Sequence, residues 1–284
     1  MSAPRDAGAP AQGTAPTPPE AAGRAPGRGR LAGRRVLVVG AGTRPSAEPE
    51  APLGNGRAIA WLAAREGARV ACADRDGAAA EETLRGVEKE GPGGAVLVAD
   101  VADADACQRL VHEADAALSG LDGVVLNVGI GQGMGLEGTS PEDWDRTFAV
   151  NLRAHFLVAR AALPQLPPGA ALVFVSSIAG LRPGSRMPAY DASKAGLAGL
   201  ARHVALEGSR RGVRANVVLP GLIDTPLGRV ATAGRPGRAR TPVPLGRQGS
   251  AWEVAYATVF LLSHEASYIT GQCLAVDGGL SELR

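Results

Sequence analysis

From Arg35 onward, short runs rich in Val, Leu and Ala alternate with longer stretches whose apolar residues return at helical spacing. The runs lie at 36–39, 70–73, 96–98, 124–126, 172–175, 213–218 and 273–276, and the helical stretches at 56–66, 78–89, 104–118, 141–163, 190–211 and 251–262. Strand followed by helix, repeated, predicts βα units and a parallel sheet. Runs that are apolar throughout suit strands covered on both faces. Because crossovers between parallel strands are almost always right-handed, the economical arrangement is α/β: one Rossmann-type, doubly wound, seven-stranded parallel sheet with helices on both faces. That single domain is expected to span residues 31–284.

Two segments fall outside the pattern. Residues 1–30 are dominated by Ala, Pro, Gly and Arg without periodicity, which predicts a disordered, solvated tail that cannot bury enough surface to offset its ordering entropy. Residues 225–248 carry Pro226, Pro236, Pro242 and Pro244 among Gly and Arg, which predicts a long irregular excursion of the kind that forms substrate lids.

Composition narrows the function classes. The chain is 45% hydrophobic but only 4% aromatic, so its core is built mainly from Ala, Val and Leu. A formal charge of +2, partly concentrated in Arg24, Arg28, Arg30, Arg34 and Arg35, offers no field for nucleic acid or a membrane surface. No apolar run approaches the ~18 residues of a membrane span, and no secretory leader is recognisable. Cys72, Cys107 and Cys273 sit in separate apolar stretches, which predicts reduced, buried thiols and a cytoplasmic protein. His112, His155, His203 and His264 show no ligand spacing. They are read as surface or interface residues, and no metal site is expected.

The first strand runs into Gly40, Gly42 and Thr43, and a second group, Gly54, Asn55 and Gly56, opens the first helix. A glycine-rich turn between strand and helix lets the backbone approach a pyrophosphate and aims helix N–H groups at it. The two groups are separated by residues 44–53, an insertion in the glycine-rich loop. Asp74 ends the second strand 18 residues after Gly56, close to the ~20 at which a carboxylate meets the adenosine ribose. That acid favours NAD over NADP by repelling a 2′-phosphate, while Arg75 and Arg44 keep NADP open. A turn residue is the alternative reading of Asp74.

Tyr190 and Lys194 stand four residues apart, hence on one face of a helix about one turn from each other. A phenol that titrates near ~10 can serve as an acid or base only if its surroundings help it ionise, and a nearby cation does so. A Tyr-xxx-Lys pair alone is commonplace, but here it has company. In chain order come the glycine-rich turn, Asp74, Asp100-Val101, Asn127-Val128-Gly129, Asn151, Ser176-Ser177, Tyr190 with Lys194, Pro220-Gly221 with Ile223 and Thr225, and Asp277-Gly278-Gly279. This ordered set resembles the short-chain dehydrogenase/reductase family, from about Leu31 to the C-terminus.

The resemblance implies a nicotinamide-dependent oxidoreductase acting on a small alcohol or ketone, with a tetrad of Asn151, Ser177, Tyr190 and Lys194. Tyr190 would exchange a proton with the substrate oxygen, and Ser177 would hydrogen-bond that oxygen. Lys194 would lower the phenol pKa and hold the nicotinamide ribose, and Asn151 would anchor a water relay. Asp100 and Val101 would meet the adenine, Asn127 and Gly129 the adenosine and ribose region, and Pro220, Gly221, Ile223 and Thr225 the nicotinamide end. The resemblance also implies a homotetramer, or at least a dimer, built on the helices at 141–163 and 190–211, with residues 277–284 near another subunit. The chain departs from the family pattern at the split glycine motif, at Val39 and at Val128. Two alternatives stand beside this reading. One is a 3-oxoacyl-thioester reductase, suggested by Arg182, Arg186, Arg229, Arg235, Arg238 and Arg240 around the expected pocket; the other is a catalytically silent NAD(P)-binding regulator, against which the intact tetrad speaks.

Overall fold

In β1 (Arg35–Val39), Val36 and Val38 face one apolar layer while Leu37 and Val39 face another, the two-residue period of a strand buried on both sides. The same alternation recurs along the sheet and explains why the strands read as unbroken apolar runs. The structure is a computed structural model describing residues 17–46, 51–233, 235–239 and 241–283. After β1 come α1 (Asn55–Arg65), β2 (Arg69–Asp74), α2 (Gly77–Glu90), β3 (Gly94–Val98), α3 (Ala104–Leu118) and β4 (Gly123–Leu126). The second half contains α4 (Pro141–Phe148), a π-helical turn (Ala149–Arg153), α5 (Ala154–Ala162), β5 (Ala171–Val175), α6 (Pro188–Ser209) and β6 (Arg214–Pro220). It closes with β7 (Ile223–Asp224), α7 (Pro226–Ala233), α8 (Pro236–Ala239), β8 (Gly249–Ser250), α9 (Ala251–Leu262) and β9 (Cys273–Val276).

Seven strands form one parallel sheet in the order β3-β2-β1-β4-β5-β6-β9, as expected from the sequence. β7 and β8 make a separate two-stranded ladder. One face of the sheet is covered by α3, α5 and α6 through Leu110, Val158 and Leu197, and the other by α1 and α9 through Ile59, Leu62, Val254 and Val259. Helix starts are set by local chemistry: Asp76, Asp103 and Ser140 accept first-turn N–H groups of α2, α3 and α4, and Ser250 and Glu253 form a capping box on α9.

Several expectations are corrected. The stretch 141–163 is not one regular helix: at 149–153 the ladder widens, and the Ala154 N–H reaches back five residues to the Ala149 carbonyl. Asn151 sits in this turn. The excursion at 225–248 contains α7 and α8 rather than irregular chain alone; Pro226 and Pro236 open these helices, where a missing N–H costs nothing. His155 is completely buried, stacked 6.3 Å from Phe174. Burial and the nearby Lys194 cation push its ring down to about 3, so it is a neutral core residue. Cys72 and Cys107 are buried free thiols, with burial raising them to about 12 and about 11, but Cys273 is partly exposed on the last strand of the sheet.

The tail expected through Arg30 is ordered from residue 17, and residues 1–16 lie outside the described part. Ala21 and Ala25 are buried, and Ser250 Oγ donates to the Ala21 carbonyl at 2.6 Å. Glu66, 1% exposed, accepts from the backbone N–H of Arg28 (2.8 Å) and Arg30 (3.1 Å) and from the Arg30 guanidinium (2.7 Å). The segment needs no core of its own because it borrows the outer surface of α1 and α9, where Arg65 also lies over Trp252 at 5.1 Å. Arg34 and Arg35 are anchors rather than solvated charges: Arg34 donates to the Asp122 and Gly169 carbonyls, and Arg35 pairs with the Asp122 carboxylate at 2.6 Å. Desolvation raises the Glu66 pKa, but the Arg30 and Arg28 hydrogen bonds and the Arg30 charge more than offset it and hold the carboxyl below its ordinary value. Its stabilising share is therefore full above ~4.3 and fades as pH falls through the folded value. Glu66→Ala, which strands three donors, should cost about 1–3 kcal/mol in urea unfolding at pH 7, with the difference shrinking at acid pH. An unchanged midpoint would show that the strap is not held through Glu66.

Candidate functional site

The strand order reverses between β1 and β4, so the connections after these strands depart to opposite sides and leave a crevice at their carboxyl ends. A cleft of about 340 Å³ lies there, within the range of small-molecule sites. Of the predicted residues it is lined by Gly40, Gly42, Thr43, Gly54, Asn55, Gly56, Asp74, Arg75, Asp100, Val101, Asn127, Gly129, Tyr190, Lys194 and Thr225. Asn151, Ser177, Pro220, Gly221 and Ile223 stand behind or beside this lining.

The split glycine motif closes on itself. The Gly54 N–H donates to Thr43 Oγ1 at 3.1 Å, so the insertion leaves the turn and returns to the same point. Residues 47–50 lie outside the described part. Glycine is required here for contact as well as conformation: a Cβ on Gly56 would stand 1.9 Å from the Gly40 carbonyl oxygen, and one on Gly42 2.8 Å from Asp74 Oδ2. Gly40 itself adopts φ +82. Gly54 provides no side-chain cap for α1, whose first N–H groups face the cleft end of the motif. Asn55 Oδ1 is buried there without a partner among the described residues.

At the far end of the cleft, Asp74 accepts from the Gly42 N–H at 2.9 Å and the Asp76 N–H at 3.1 Å, one on each carboxylate oxygen. Asp74 is thus both the turn residue and a carboxylate aimed at the glycine turn, with lone pairs to spare. The Asp100 carboxyl is held below its usual range by the Ala102 N–H first, then by Arg146 and Arg75, despite partial burial. Asn127 donates to the Gly40 carbonyl at 2.8 Å, tying β4 to the glycine turn at the switch point. Pro220 continues β6 beside β9, the Gly221 N–H donates to the Val276 carbonyl at 2.9 Å, and Ile223 is buried. Thr225 Oγ1 accepts the Gly228 N–H at 3.0 Å and so starts α7.

The near end is built on α6, which opens at Pro188. Lys194 Nζ stands 5.8 Å from the centre of the Tyr190 ring and donates to the Val175 carbonyl at 3.0 Å. Ser176 Oγ donates to the Lys194 carbonyl at 2.7 Å, locking α6 to the end of β5. Ser177 accepts the Ala179 N–H at 3.1 Å, and its hydroxyl lies near enough to the Tyr190 phenol to favour the ionised form. Asn151 is fully buried; its amide donates to the Ile130 carbonyl and Ser193 Oγ, and its oxygen accepts the Ile130 N–H, at 2.8–3.0 Å. Burial raises the Tyr190 pKa above its ordinary value; the nearby Ser177 hydroxyl opposes the shift, Asp191 adds to it and Arg238 opposes it. Burial lowers Lys194 to about 8. Arg238 on α8, which the local Tyr-xxx-Lys spacing could not single out, adds a positive charge that favours the phenolate. Val128, Ile130, Pro226 and Leu227 also line the cleft and carried no motif of their own. Among the described residues no three His, Cys, Asp or Glu side chains converge as a metal site, and no helix is long and apolar enough to cross a membrane.

Comparison with known proteins agrees with this geometry. Residues 52–281 match a family model described as "Enoyl-(Acyl carrier protein) reductase"; the match begins just before the second glycine group. The chain is 39% identical over 262 residues to a mouse (Mus musculus) (3R)-3-hydroxyacyl-CoA dehydrogenase, covering 88% of this chain and 97% of the relative. It is 35% identical over 261 residues to a Thermotoga maritima 3-oxoacyl-[acyl-carrier-protein] reductase, covering 88% and 99%. Among solved structures, an Agrobacterium tumefaciens protein assigned as a 2-deoxy-D-gluconate 3-dehydrogenase, with bound NADP, superposes with TM-score 0.76 at 34% identity over 88% of this chain and 97% of that one. The cleft, the fold and these likenesses establish that the chain belongs to the short-chain dehydrogenase/reductase family, NAD(P)-dependent oxidoreductases that act on CH–OH groups.

Proposed function

We propose that this enzyme interconverts a small secondary alcohol and its ketone, with Tyr190 passing the proton to or from the substrate oxygen. The observation that carries the reading is a half-buried phenol near the Ser177 hydroxyl, with the Lys194 ammonium 5.8 Å from its ring, at one end of the glycine-turn cleft. Ser177 steadies the substrate oxygen as charge develops on it. Lys194, fixed by Val175, reaches toward the nicotinamide ribose, and Asn151 braces the 130–131 backbone on which the water relay to Lys194 depends. The cleft fits a dinucleotide: the glycine cradle excludes any Cβ, the first turn of α1 offers N–H groups, and Asn55 Oδ1 is left unpaired. Bound NAD(P) would supply or take the hydride.

The carboxylate of Asp74, fixed by two backbone N–H groups, supports NAD over NADP, since a 2′-phosphate would bring a second anion against it. Exposed apolar residues on α4 and α5, Trp144 and Phe156, support a homotetramer or dimer through this face. Free thiols at all three cysteines support a cytoplasmic protein, the cleft supports a small-molecule substrate, and a formal charge of +2 supports neither nucleic acid nor membrane as partner. A second reading, a 3-oxoacyl-thioester reductase, is favoured by the likeness to the hydroxyacyl-CoA and acyl-carrier-protein enzymes. Of its proposed arginines, Arg229 pairs with Asp224 at 2.7 Å, and Arg240 lies outside the described residues.

Tyr190→Phe should bind NAD(H) normally, read by nicotinamide fluorescence, and lose turnover by about 10²-fold or more on any ketone the wild type reduces. A rate within about tenfold of wild type, roughly 1.4 kcal/mol, would remove Tyr190 from the proton path. For the cofactor, kcat/KM should favour NADH over NADPH, and Asp74→Ala should narrow that ratio by about tenfold. A wild-type preference for NADPH would instead make Arg75 and Arg44 the determinants.

A further inference from the structure

The chain that leaves β4 runs past Tyr190 and meets α6 at two glycines. A Cβ on Gly129 would stand 3.1 Å from Lys194 Nζ, so here the backbone passes the ammonium. Two residues on, a Cβ on Gly131 would stand 2.6 Å from Met187 Sδ, 2.9 Å from its Cε and 3.7 Å from Tyr190 Cδ2. The thioether and the phenol ring therefore flank one point over Gly131. Lys194 lines the glycine-turn cleft and Met187, the N-cap of α6, does not, so the thioether bounds the side of Tyr190 turned away from the cofactor end.

This contact is not core packing. Met187 belongs to neither apolar layer of the fold and is only half-buried, and Gly131 is exposed. The Met187 backbone is nevertheless fixed. Ser185 Oγ accepts its N–H at 2.9 Å and donates to its carbonyl at 3.2 Å. Arg186, just before it, adopts φ +63, and the Arg186 carbonyl accepts the Gly135 N–H at 2.8 Å. Among the described non-glycine residues only Ser119, at the end of α3, shares a positive φ. An arginine in this region is strained, and the strained turn delivers Met187 to α6 facing Gly131. Opposite, Asn151 pairs with both the N–H and the carbonyl of Ile130 at 2.8 Å. One wall is thus rigid backbone, and the other is a side chain with three rotatable bonds on an anchored stem.

We propose that Met187 and Gly131 form the specificity-determining wall of the substrate site, and that the larger substituent on the reacting carbon is an uncharged alkyl or aryl group lying against the thioether. This rests on the proton-transfer role given to Tyr190 above. A carbonyl oxygen at the phenol brings its carbon, and the groups on that carbon, within reach of whatever flanks the ring. Lys194 occupies the cofactor flank, so the substituent takes the flank of Met187. Ile130, next to Gly131, and Leu227 of α7 add apolar surface to the cleft, and desolvating a carboxylate among such groups is costly.

The test is kcat/KM for reduction of 2-butanone, acetophenone and 2-acetylnaphthalene with saturating NAD(P)H, together with 5-methyl-2-hexanone against 4-oxopentanoate, which differ in charge but little in shape. The readout is the ratio for 2-acetylnaphthalene over 2-butanone, in which the proton transfer common to both cancels. Met187→Ala should raise that ratio and Met187→Phe should lower it, each by about tenfold or more, the discrimination that apolar pockets reach for groups of this size. Gly131→Ala should lower it as well, because the new Cβ drives the thioether into the site, and should have no such effect in the Met187→Ala background, since the two residues act as one wall. The wild type should prefer 5-methyl-2-hexanone to 4-oxopentanoate by about tenfold or more. Ratios within about twofold of wild type in both Met187 variants, or an equal effect of Gly131→Ala in both backgrounds, would overturn the proposal. So would a wild type that reduces none of these ketones, or that uses 4-oxopentanoate as well as its neutral counterpart. Should Gly131→Ala not fold, the two Met187 variants decide the matter by their opposite signs. Failure of the underlying reading looks different: Tyr190→Phe would then keep its turnover of every ketone in the series.

Discussion

A buried ammonium with no carboxylate beside it among the described residues is the constraint around which this site is arranged. Lys194 is 3% exposed, and among the described residues its ammonium donates to the neutral Val175 carbonyl at the end of β5. Such a cation lowers stability unless its surroundings are fixed in advance, and the neighbouring sequence reads as that fixing. Ser176 ties the Lys194 backbone to the sheet, a Cβ on Gly129 would stand 3.1 Å from Nζ, and Asn151 holds the Ile130 backbone in place through paired hydrogen bonds. The strands that converge here are themselves buried on both faces, so the ends from which Val175 and Gly129 depart are among the best determined points of the fold.

The glycine turn obeys a complementary requirement, which is close approach rather than charge. Gly40, Gly42 and Gly56 bring β1, α1 and Asp74 to distances at which any side chain would collide. Asn127 then links that turn to β4 across the switch point. The cofactor end and the reacting end are thereby two halves of one crevice. The start of the excursion after β7 adds Thr225, Pro226 and Leu227 to its wall, beginning at the Thr225 cap.

Most of this architecture was legible in the sequence because it depends on local periodicity: α3, α9 and β9 fall where the apolar spacing puts them, and Tyr190 and Lys194 share a helix face. What was not legible depends on contacts between distant residues. The segment at 17–30 has no periodic pattern, yet it is held by Glu66, more than thirty residues further on. The split in the glycine motif looked like a defect until Thr43 and Gly54 were seen to meet. The π-helical turn at Asn151 and the burial of His155 likewise follow from tertiary packing that no spacing rule encodes.

If Lys194 is kept for chemistry at the expense of stability, the expense has a definite pH signature. Its folded value of about 8 lies below the ordinary ~10.4, so between these values the unfolded chain holds a proton that the folded protein lacks, and stability rises with pH across that window. Urea unfolding of Lys194→Met against wild type, from pH 7 to 10.5, measures this directly. The account predicts that the turnover-deficient variant is the more stable at pH 7, by on the order of 1 kcal/mol or more after loss of the Val175 hydrogen bond, with the gain shrinking as pH rises. A variant less stable than wild type at pH 7, or a difference independent of pH, would contradict it.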